Sequence, residues 1–362
     1  MTVAAVRTPN AYAAGKLPRW VPWSGIPIAQ VVSFAVFEVT HLGVLTGDPD
    51  AEYPVAAAVV VGALLYVVGI VTVSVLVEGR RRAVDRLVTS LVVGAFLVAM
   101  VPLVSVAITV VANGMSRFDA EFFSFSMRNV QGEGGGALHA IVGTVLITLA
   151  ASLISIPVGL LASIYLVEYG RGALARGITF FVDVMTGIPS IVAGLFAYAL
   201  FALLFGPGVK LGIAGAVALS VLMIPVVVRS SEEMLRIVPN ELREASYALG
   251  VPKWLTILKV VLPTSIAGIM TGVMIAIARV IGETAPLLIA AGFTASINYN
   301  LLEGPMNSLP LFVYTQYVQQ GNPVEAYVDR AWAGALTLIL IVMLLNVLAR
   351  VFSRLFAPKL GR

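Results

Sequence analysis

The chain has no cysteine, only two histidines, and few charged residues for its length of 362. The absence of cysteine excludes disulfides, thiol redox chemistry and Cys-ligated zinc. His41 and His139 form no H-E-x-x-H motif, so the sequence predicts no metal site. Charged residues make up 12% of the chain, against about 25% in a soluble domain. This composition argues against a soluble globular fold.

The motifs of nucleotide chemistry are also missing. No G-x4-G-K-[ST] sequence occurs, and the glycine-rich stretch Gly132–Ala137 follows no predicted strand. We expect that stretch to be a flexible external loop. Ser190 has no evident base to activate it as a nucleophile. The sequence therefore predicts a chain that is not an enzyme and that neither binds nor hydrolyses ATP by itself.

Long apolar runs dominate what is present. Apolar residues make up 59% of the chain, and the mean hydropathy is +0.97. The run 54–77 carries no charge and would be about 36 Å long as a helix, enough to cross the ~30 Å hydrocarbon core of a membrane. In lipid only a helix satisfies its own backbone along such a run. We predict an all-α integral membrane protein whose spans lie near residues 26–47, 54–77, 87–112, 138–167, 178–206, 211–231, 264–291 and 331–355.

Most of the 23 Lys and Arg residues fall on one side of this arrangement. The positive-inside rule then places both termini in the cytoplasm, together with a polar interval that runs from Arg229 to Pro263. The charge bias also accounts for the basic pI, so no nucleic acid partner is predicted. Residues 1–25 are basic and lack the apolar core of a signal peptide, and we expect a cytoplasmic segment there.

The polar interval has the pattern of two short helices joined by a turn. Asn240 is a suitable N-cap after Pro239, Gly250 suits a left-handed position, and Pro252 suits the first turn of a second helix. By itself this pattern leaves two interpretations open: a structural interfacial helix, or a docking element for a partner.

A family resemblance favours the second interpretation. Glu244-Ala245, Gly250 and Leu262-Pro263 match the EAA motif of ABC-importer permeases, with Val260 in place of the usual Ile. In that family the motif forms a coupling helix that sits in a groove of a cytoplasmic ATPase. The resemblance thus implies that residues 232–263 of this polar interval are the ATPase-coupling loop.

Three further stretches narrow the resemblance to phosphate-importer permeases: Ile156–Tyr169, Thr186–Phe196 and Ala278–Leu288. GETAPLL, within the last stretch, resembles the PstA-type subunit, whereas the sister subunit usually has GETM there. The resemblance covers about residues 80–358. It implies a permease domain at 79–358 with six transmembrane helices, preceded by a cytoplasmic segment at 1–25 and two extra transmembrane helices at 26–78.

The resemblance also implies the partners and the location. It predicts a multi-pass protein of the cell (inner or plasma) membrane that assembles with a sister permease, a cytoplasmic ATPase dimer and an external phosphate-binding protein. Inorganic phosphate is the expected substrate, and no cofactor is expected because the ATPase binds the ATP. The alternatives are another oxyanion, or the role of the sister subunit itself. A secondary transporter fits less well because no internal repeat is evident. A purely structural subunit fits less well because it would need no Arg279–Glu283 pair in the middle of the membrane.

Charged side chains inside the predicted spans cost free energy in the membrane, so each needs a structural or functional explanation. Arg279 and Glu283 are four residues apart, a spacing that would place them on one helix face. They are either a self-neutralising pair that helps insertion or part of an anion path, and the resemblance favours the path. Arg229 is either a positive-inside anchor or a second basic group on that path.

The remaining candidates are assigned to structure. We expect Asp183 to make a helix-packing hydrogen bond, and Glu38 to pair with His41 or with a neighbouring helix. Gly187, Pro189, Ser190 and Gly194 are expected to serve close helix packing and a bend.

Overall fold

A computed structural model of the chain describes residues 17–18, 20–39 and 55–356. Within these ranges the regular structure is helical, without a β-strand. This confirms the predicted all-α fold, in which each backbone segment satisfies its own hydrogen bonds. Most of segment 1–25 lies outside the described residues, and so does His41, the predicted partner of Glu38.

The described residues contain fourteen α-helices. In chain order they are α1 (Val21–Val39), α2 (Val55–Glu78), α3 (Arg80–Gly114), α4 (Ala120–Ser124), α5 (Leu138–Ile164), α6 (Ala173–Gly187), α7 (Ser190–Phe205), α8 (Gly212–Ile237), α9 (Asn240–Ala248), α10 (Lys253–Thr256), α11 (Leu262–Val280), α12 (Ala285–Ala290), α13 (Leu309–Val318) and α14 (Val324–Phe356). Two π-helical turns extend this series, Tyr165–Tyr169 after α5 and Ile257–Val261 between α10 and α11.

Seven helical segments among the described residues are long and apolar enough to cross a membrane, or up to eight if the bent pair α6–α7 is one span. The multi-pass membrane fold is therefore confirmed. The division into six core and two extra spans stays a prediction, as do the proposed domain boundaries.

The predicted fifth span, 178–206, is not one helix. It consists of α6 and α7, which meet at an angle of 110°. Pro189 has no N–H to donate, and it keeps Ile188 in extended geometry with ψ of 126°. The helix therefore stops at Gly187 and restarts at Ser190.

The predicted seventh span, 264–291, also ends early. The helical ladder of α11 closes with the bond from Ile281 N to Ile277 O, and a turn follows it. Pro286 cannot donate to residue 282, and Gly282 itself is a poor helix former, so the helix does not run through this point. As a result Glu283 lies in the turn and not on a helix.

The chain forms two compact units, one ending at Val106 and one beginning at Ala107. In the first unit α1 packs along α2, and Ser33 Oγ donates a hydrogen bond of 2.6 Å to the carbonyl oxygen of Ala58. Glu78 at the end of α2 is buried and binds Arg86 at 2.7 Å. That hydrogen bond is the main reason why the pKa of Glu78 falls to about 2, so Glu78 is ionised at neutral pH.

The second unit is built around α8, which packs against α5, α7 and α11. A Cβ on Gly159 of α5 would lie 2.7 Å from Val227 of α8, so glycine is what lets these two helices approach. Gly194 of α7 has the same role, since its Cβ would lie 2.6 Å from the Cα of Pro286. The buried core between these helices includes Ile147, Ala151, Leu219, Met223, Val227, Leu235, Ile269, Val273 and Ala276.

Candidate functional site

The helix–turn–helix segment formed by α9 and α10 is the first candidate site. The chain reverses at Gly250, whose φ of +76° is a left-handed conformation, as the sequence predicted. The predicted N-cap was wrong by one position, because Pro239 holds the N-cap of α9 and Asn240 is the first helical residue. Pro252 likewise precedes α10 as its N-cap. The predicted motif thus folds as two short helices around one obligatory turn.

Most of this segment is exposed, and we call four of its exposed residues the docking face: Glu244, Ala245, Leu249 and Trp254. The side chain of Glu244 has no hydrogen-bond or ion-pair partner among the described residues. Leu249 is 84% exposed and Trp254 is 61% exposed. Large apolar side chains that stand free on a polar segment indicate an interaction surface.

A buried hydrogen bond holds the two helices of the segment together. Ser246 of α9 and Thr256 of α10 are both buried, and their hydroxyl oxygens lie 2.8 Å apart in a hydrogen bond. Leu262 and Pro263 begin α11 directly after the π-helical turn Ile257–Val261. The segment is therefore braced internally while its docking face stays free.

A cluster of charges joins α6 to α8. The guanidinium of Arg229 forms an ion pair with Asp183 of α6 and another, at 3.0 Å, with Glu232. Glu232 in turn binds Arg236 at 2.7 Å. The structure thus brings together Arg229 and Asp183, which are 46 residues apart and for which no sequence pattern indicated a pair. The positive charge of Arg229 is balanced by its neighbours.

Arg279 and Glu283 are arranged differently from the prediction. Arg279 is exposed in the last turn of α11, and its guanidinium has no ion pair or hydrogen bond within the described residues. Glu283 is half-buried in the following turn, where its backbone N–H donates to Val280 O at 3.1 Å. The predicted contact between the two side chains on one helix face is therefore wrong, because the helix ends between them.

Gly187 also departs from its predicted packing role. A Cβ at Gly187 would meet no atom within 4 Å, so this glycine is not required for close approach within the chain. It marks the end of α6 before the 110° bend, where Pro189 is the N-cap of α7 and Ser190 is the first helical residue.

Hydrogen bonds from two arginines hold the glycine-rich stretch Gly132–Ala137 in place. Arg330 is fully buried, and its Nη1 donates to the carbonyl oxygens of Gly132 at 2.7 Å and Gly134 at 3.0 Å. Arg117 donates to the carbonyl of Gly135 at 3.0 Å. Two distant arginines therefore fix a loop that the sequence predicted to be flexible. In the described part of the chain no cluster of three or more His, Asp or Glu could hold a metal ion.

Comparison with known families gives a match over residues 155–362 to the family described as "Binding-protein-dependent transport system inner membrane component". The chain is 45% identical over 278 residues to the phosphate transport system permease protein PstA of Mycobacterium leprae. That alignment covers 75% of this chain and 90% of the relative. It is 45% identical over 286 residues to PstA 1 of Mycobacterium tuberculosis strain H37Rv, covering 78% of this chain and 91% of that protein.

Solved structures agree at the level of the fold. A bacterial alginate ABC transporter, crystallised with an alginate-bound periplasmic protein, has a chain that aligns with a TM-score of 0.54 at 12% identity. The alignment covers 76% of this chain and 96% of the other. At this identity the likeness speaks for a shared helical architecture only.

Proposed function

Because the chain belongs to the inner-membrane components of binding-protein-dependent transport systems, and among them to the PstA phosphate transport permeases, we propose that it forms one half of a translocation path for inorganic phosphate. A separate ATPase subunit supplies the energy. The proposal is a transport function without chemistry on the substrate, in keeping with a sequence that has no P-loop.

The observation that carries the coupling part of this proposal is the docking face. Leu249 and Trp254 are exposed beside an obligatory glycine turn, while Ser246 and Thr256 brace the segment from behind. A braced segment with free apolar side chains can be pushed by a partner without losing its own fold. We call α9, α10 and the turn between them the coupling segment. An ATPase that binds its docking face can transfer movement to the membrane helices.

One docking face per chain supports a specific assembly. An ATPase dimer offers two equivalent grooves, so a second permease subunit must supply the other coupling segment. We therefore propose a complex with a sister permease, an ATPase dimer and an external phosphate-binding protein. The positive-inside charge bias supports an arrangement in which both termini and the docking face are cytoplasmic.

Arg279 is the proposed contact for phosphate on the path. Its guanidinium is permanently charged, is shaped to hold two oxygens of one phosphate, and has no ion-pair partner among the described residues. Arg229 is a weaker candidate, because phosphate would have to displace Asp183 or Glu232 to reach it. We propose Arg279 as the principal basic group and Arg229 as a second one nearer the coupling segment.

The test is uptake by the reconstituted complex. Liposomes that contain both permeases and the ATPase are supplied with the phosphate-loaded binding protein outside and ATP inside. We expect uptake of radiolabelled phosphate that needs ATP hydrolysis and that persists without a proton or sodium gradient. Uptake driven by a gradient in the absence of ATP would contradict the ATP-coupled mechanism. Preferred uptake of sulfate or molybdate, each with its own binding protein, would move the proposal to another oxyanion.

A second expectation concerns the N-terminal helices, which lie outside residues 155–362, the part of the chain that matches the family model. We expect deletion of residues 1–78 to lower the amount of assembled complex more than the transport rate of each assembled complex. The measurement is phosphate uptake divided by the amount of ATPase that co-purifies with the permease. A truncated complex that assembles fully and does not transport would place these helices in the path.

A further inference from the structure

Glu168 is a buried carboxylate at the end of the π-helical turn that continues α5. Its side chain is only 5% exposed, so its charge needs partners inside the protein. Arg243 of α9 supplies them: its Nε and Nη2 both donate to Glu168 Oε1, at 3.0 and 2.8 Å. The two residues are 75 positions apart in the chain. This ion pair therefore connects the end of one long helix directly to the coupling segment.

Arg243 uses its remaining donors to hold a third element. Its Nη1 donates to the carbonyl of Val238 at 2.6 Å, and its Nη2 donates to the carbonyl of Leu235 at 3.0 Å. These carbonyls belong to the end of α8, where a helix has no acceptor partners of its own. One guanidinium, 12% exposed, thus binds the ends of α5 and α8 to the start of α9. A lysine could not make this set of contacts, because it lacks the planar fork.

The second helix of the coupling segment, α10, also contacts Glu168. Lys253, the first residue of α10, donates to the backbone carbonyl of Glu168. Its ammonium group also lies over the ring of Tyr169, 4.7 Å from the ring centre. Both helices of the segment therefore contact Glu168. We call Glu168, Arg243 and Lys253 together the Glu168 anchor.

The anchor and the docking face differ in their exposure to solvent. Glu244 and Leu249 are exposed, whereas Glu168 is buried and Arg243 nearly so. A partner seated on the docking face would not touch Glu168. Any movement of α9 would nevertheless reach α5 and α8 through Arg243, since no other ion pair among the described residues joins α9 to another helix.

We propose that Glu168 and Arg243 are positioning residues for energy coupling: their ion pair makes the coupling segment and the ends of α5 and α8 move as one body. This inference rests on the proposed function, since it requires an ATPase that acts on the docking face. The π-helical turn Tyr165–Tyr169 contains Glu168 itself, and the second π-helical turn, Ile257–Val261, follows α10. Such turns interrupt the regular helical ladder and recur at functional sites.

The test compares three variants in the reconstituted complex: Glu168→Gln, Glu168→Asp and Arg243→Lys. For each we measure co-purification of the ATPase, ATP hydrolysis with and without phosphate-loaded binding protein, and phosphate moved per ATP consumed. We expect Glu168→Gln to retain the ATPase and to hydrolyse ATP, with phosphate moved per ATP reduced by about fivefold or more. Arg243→Lys keeps the charge, so its phosphate moved per ATP should fall less than that of Glu168→Gln. Glu168→Asp keeps the charge on a shorter side chain, and its ratio should lie between those of the other two variants.

The ratio of phosphate to ATP is the decisive readout, because a variant that merely lowers the amount of folded complex leaves it unchanged. Glu233→Gln is the matched control, since Glu233 is exposed near the end of α8 and lies outside the anchor. A wild-type ratio in all three variants would overturn the anchor, and so would loss of the ATPase from all three, which would make the ion pair part of docking. Absence of ATP-dependent uptake in the wild-type complex would instead refute the proposed function, so the two failures are distinguishable.

Discussion

We expect the Arg279→Gln variant to assemble with the ATPase and to take up phosphate at least about tenfold more slowly than the wild type, because a hydrogen bond to a charged group is worth ~1.5–3 kcal/mol. The reason is the isolation of Arg279. Its guanidinium is exposed at the end of α11 and has no ion pair within the described residues. An unpaired arginine in a membrane protein is costly unless it meets water, a partner or an anion. The measurement is phosphate uptake into liposomes with ATP inside.

Two variants separate charge from geometry at this position. Arg279→Lys keeps the positive charge and loses the two-pronged contact, so we expect partial recovery of uptake. Arg236→Gln removes an arginine that is already bound to Glu232 and lies outside the proposed path, and we expect uptake near the wild-type rate. Equal losses in Arg279→Gln and Arg236→Gln would mean that total charge matters and that Arg279 holds no phosphate.

A double variant tests whether Glu283 and Arg279 form a self-neutralising pair. If the two residues were a self-neutralising pair, replacing Arg279 by Met together with Glu283 by Gln would preserve transport. Because α11 ends at Val280 and Glu283 lies beyond it, the two side chains do not form that pair. We therefore expect the double variant to lose uptake as Arg279→Gln does, and Glu283→Gln alone to be milder. Normal uptake by the double variant would remove Arg279 from the path.

The long helices could be predicted from the sequence because lipid leaves an apolar run no other stable backbone. Breaks within those runs were harder to see. Pro102, Pro157 and Pro225 all lie inside continuous helices, so proline alone does not identify a break. At Pro189 the chain bends by 110°, and before Pro286 α11 has already ended. Apolar residues flank both breaks, and hydropathy therefore cannot distinguish a broken span from a continuous one.

The same limit applies to the candidate sites. The turn at Gly250 depends on local geometry, and its left-handed conformation was predicted correctly. The pairs Asp183–Arg229 and Glu168–Arg243 depend on tertiary packing across 46 and 75 residues. A signal for the second pair existed, since Glu168 is a lone acidic residue at the end of an apolar run and Arg243 directly precedes the EAA motif. Nothing in the spacing shows that the two residues meet.

The largest effect on assembly is expected at the apex of the coupling segment. We expect Leu249→Asp to reduce co-purification of the ATPase by about tenfold or more, because buried apolar anchors contribute ~2 kcal/mol or more to protein interfaces. Leu249 is 84% exposed in this chain, so the substitution removes no internal contact of note. Glu244→Lys should act in the same direction, since it reverses a free charge on the docking face. Phosphate uptake should fall in parallel with ATPase association.

Gly250 needs its own pair of variants, because any side chain at this position adds backbone strain as well as bulk. Its φ of +76° disfavours any side chain, although a Cβ there would meet no atom within 4 Å. Gly250→Ala adds the strain with little bulk, at a cost of about 1 kcal/mol, whereas Gly250→Trp adds both. If the docking face binds the ATPase, Gly250→Trp should lose association and Gly250→Ala should largely keep it. Equal losses would assign the effect to the turn itself.

Leu302→Asp is the control for the docking face. Leu302 is 70% exposed, and the charge bias predicts that its loop lies on the opposite side of the membrane. The same leucine-to-aspartate change at Leu302 should therefore leave ATPase association unchanged. Full association and wild-type uptake in both Leu249→Asp and Glu244→Lys would show that the ATPase binds elsewhere. In that case α9 and α10 would be a structural interfacial pair, which is the interpretation that their helix pattern alone left open.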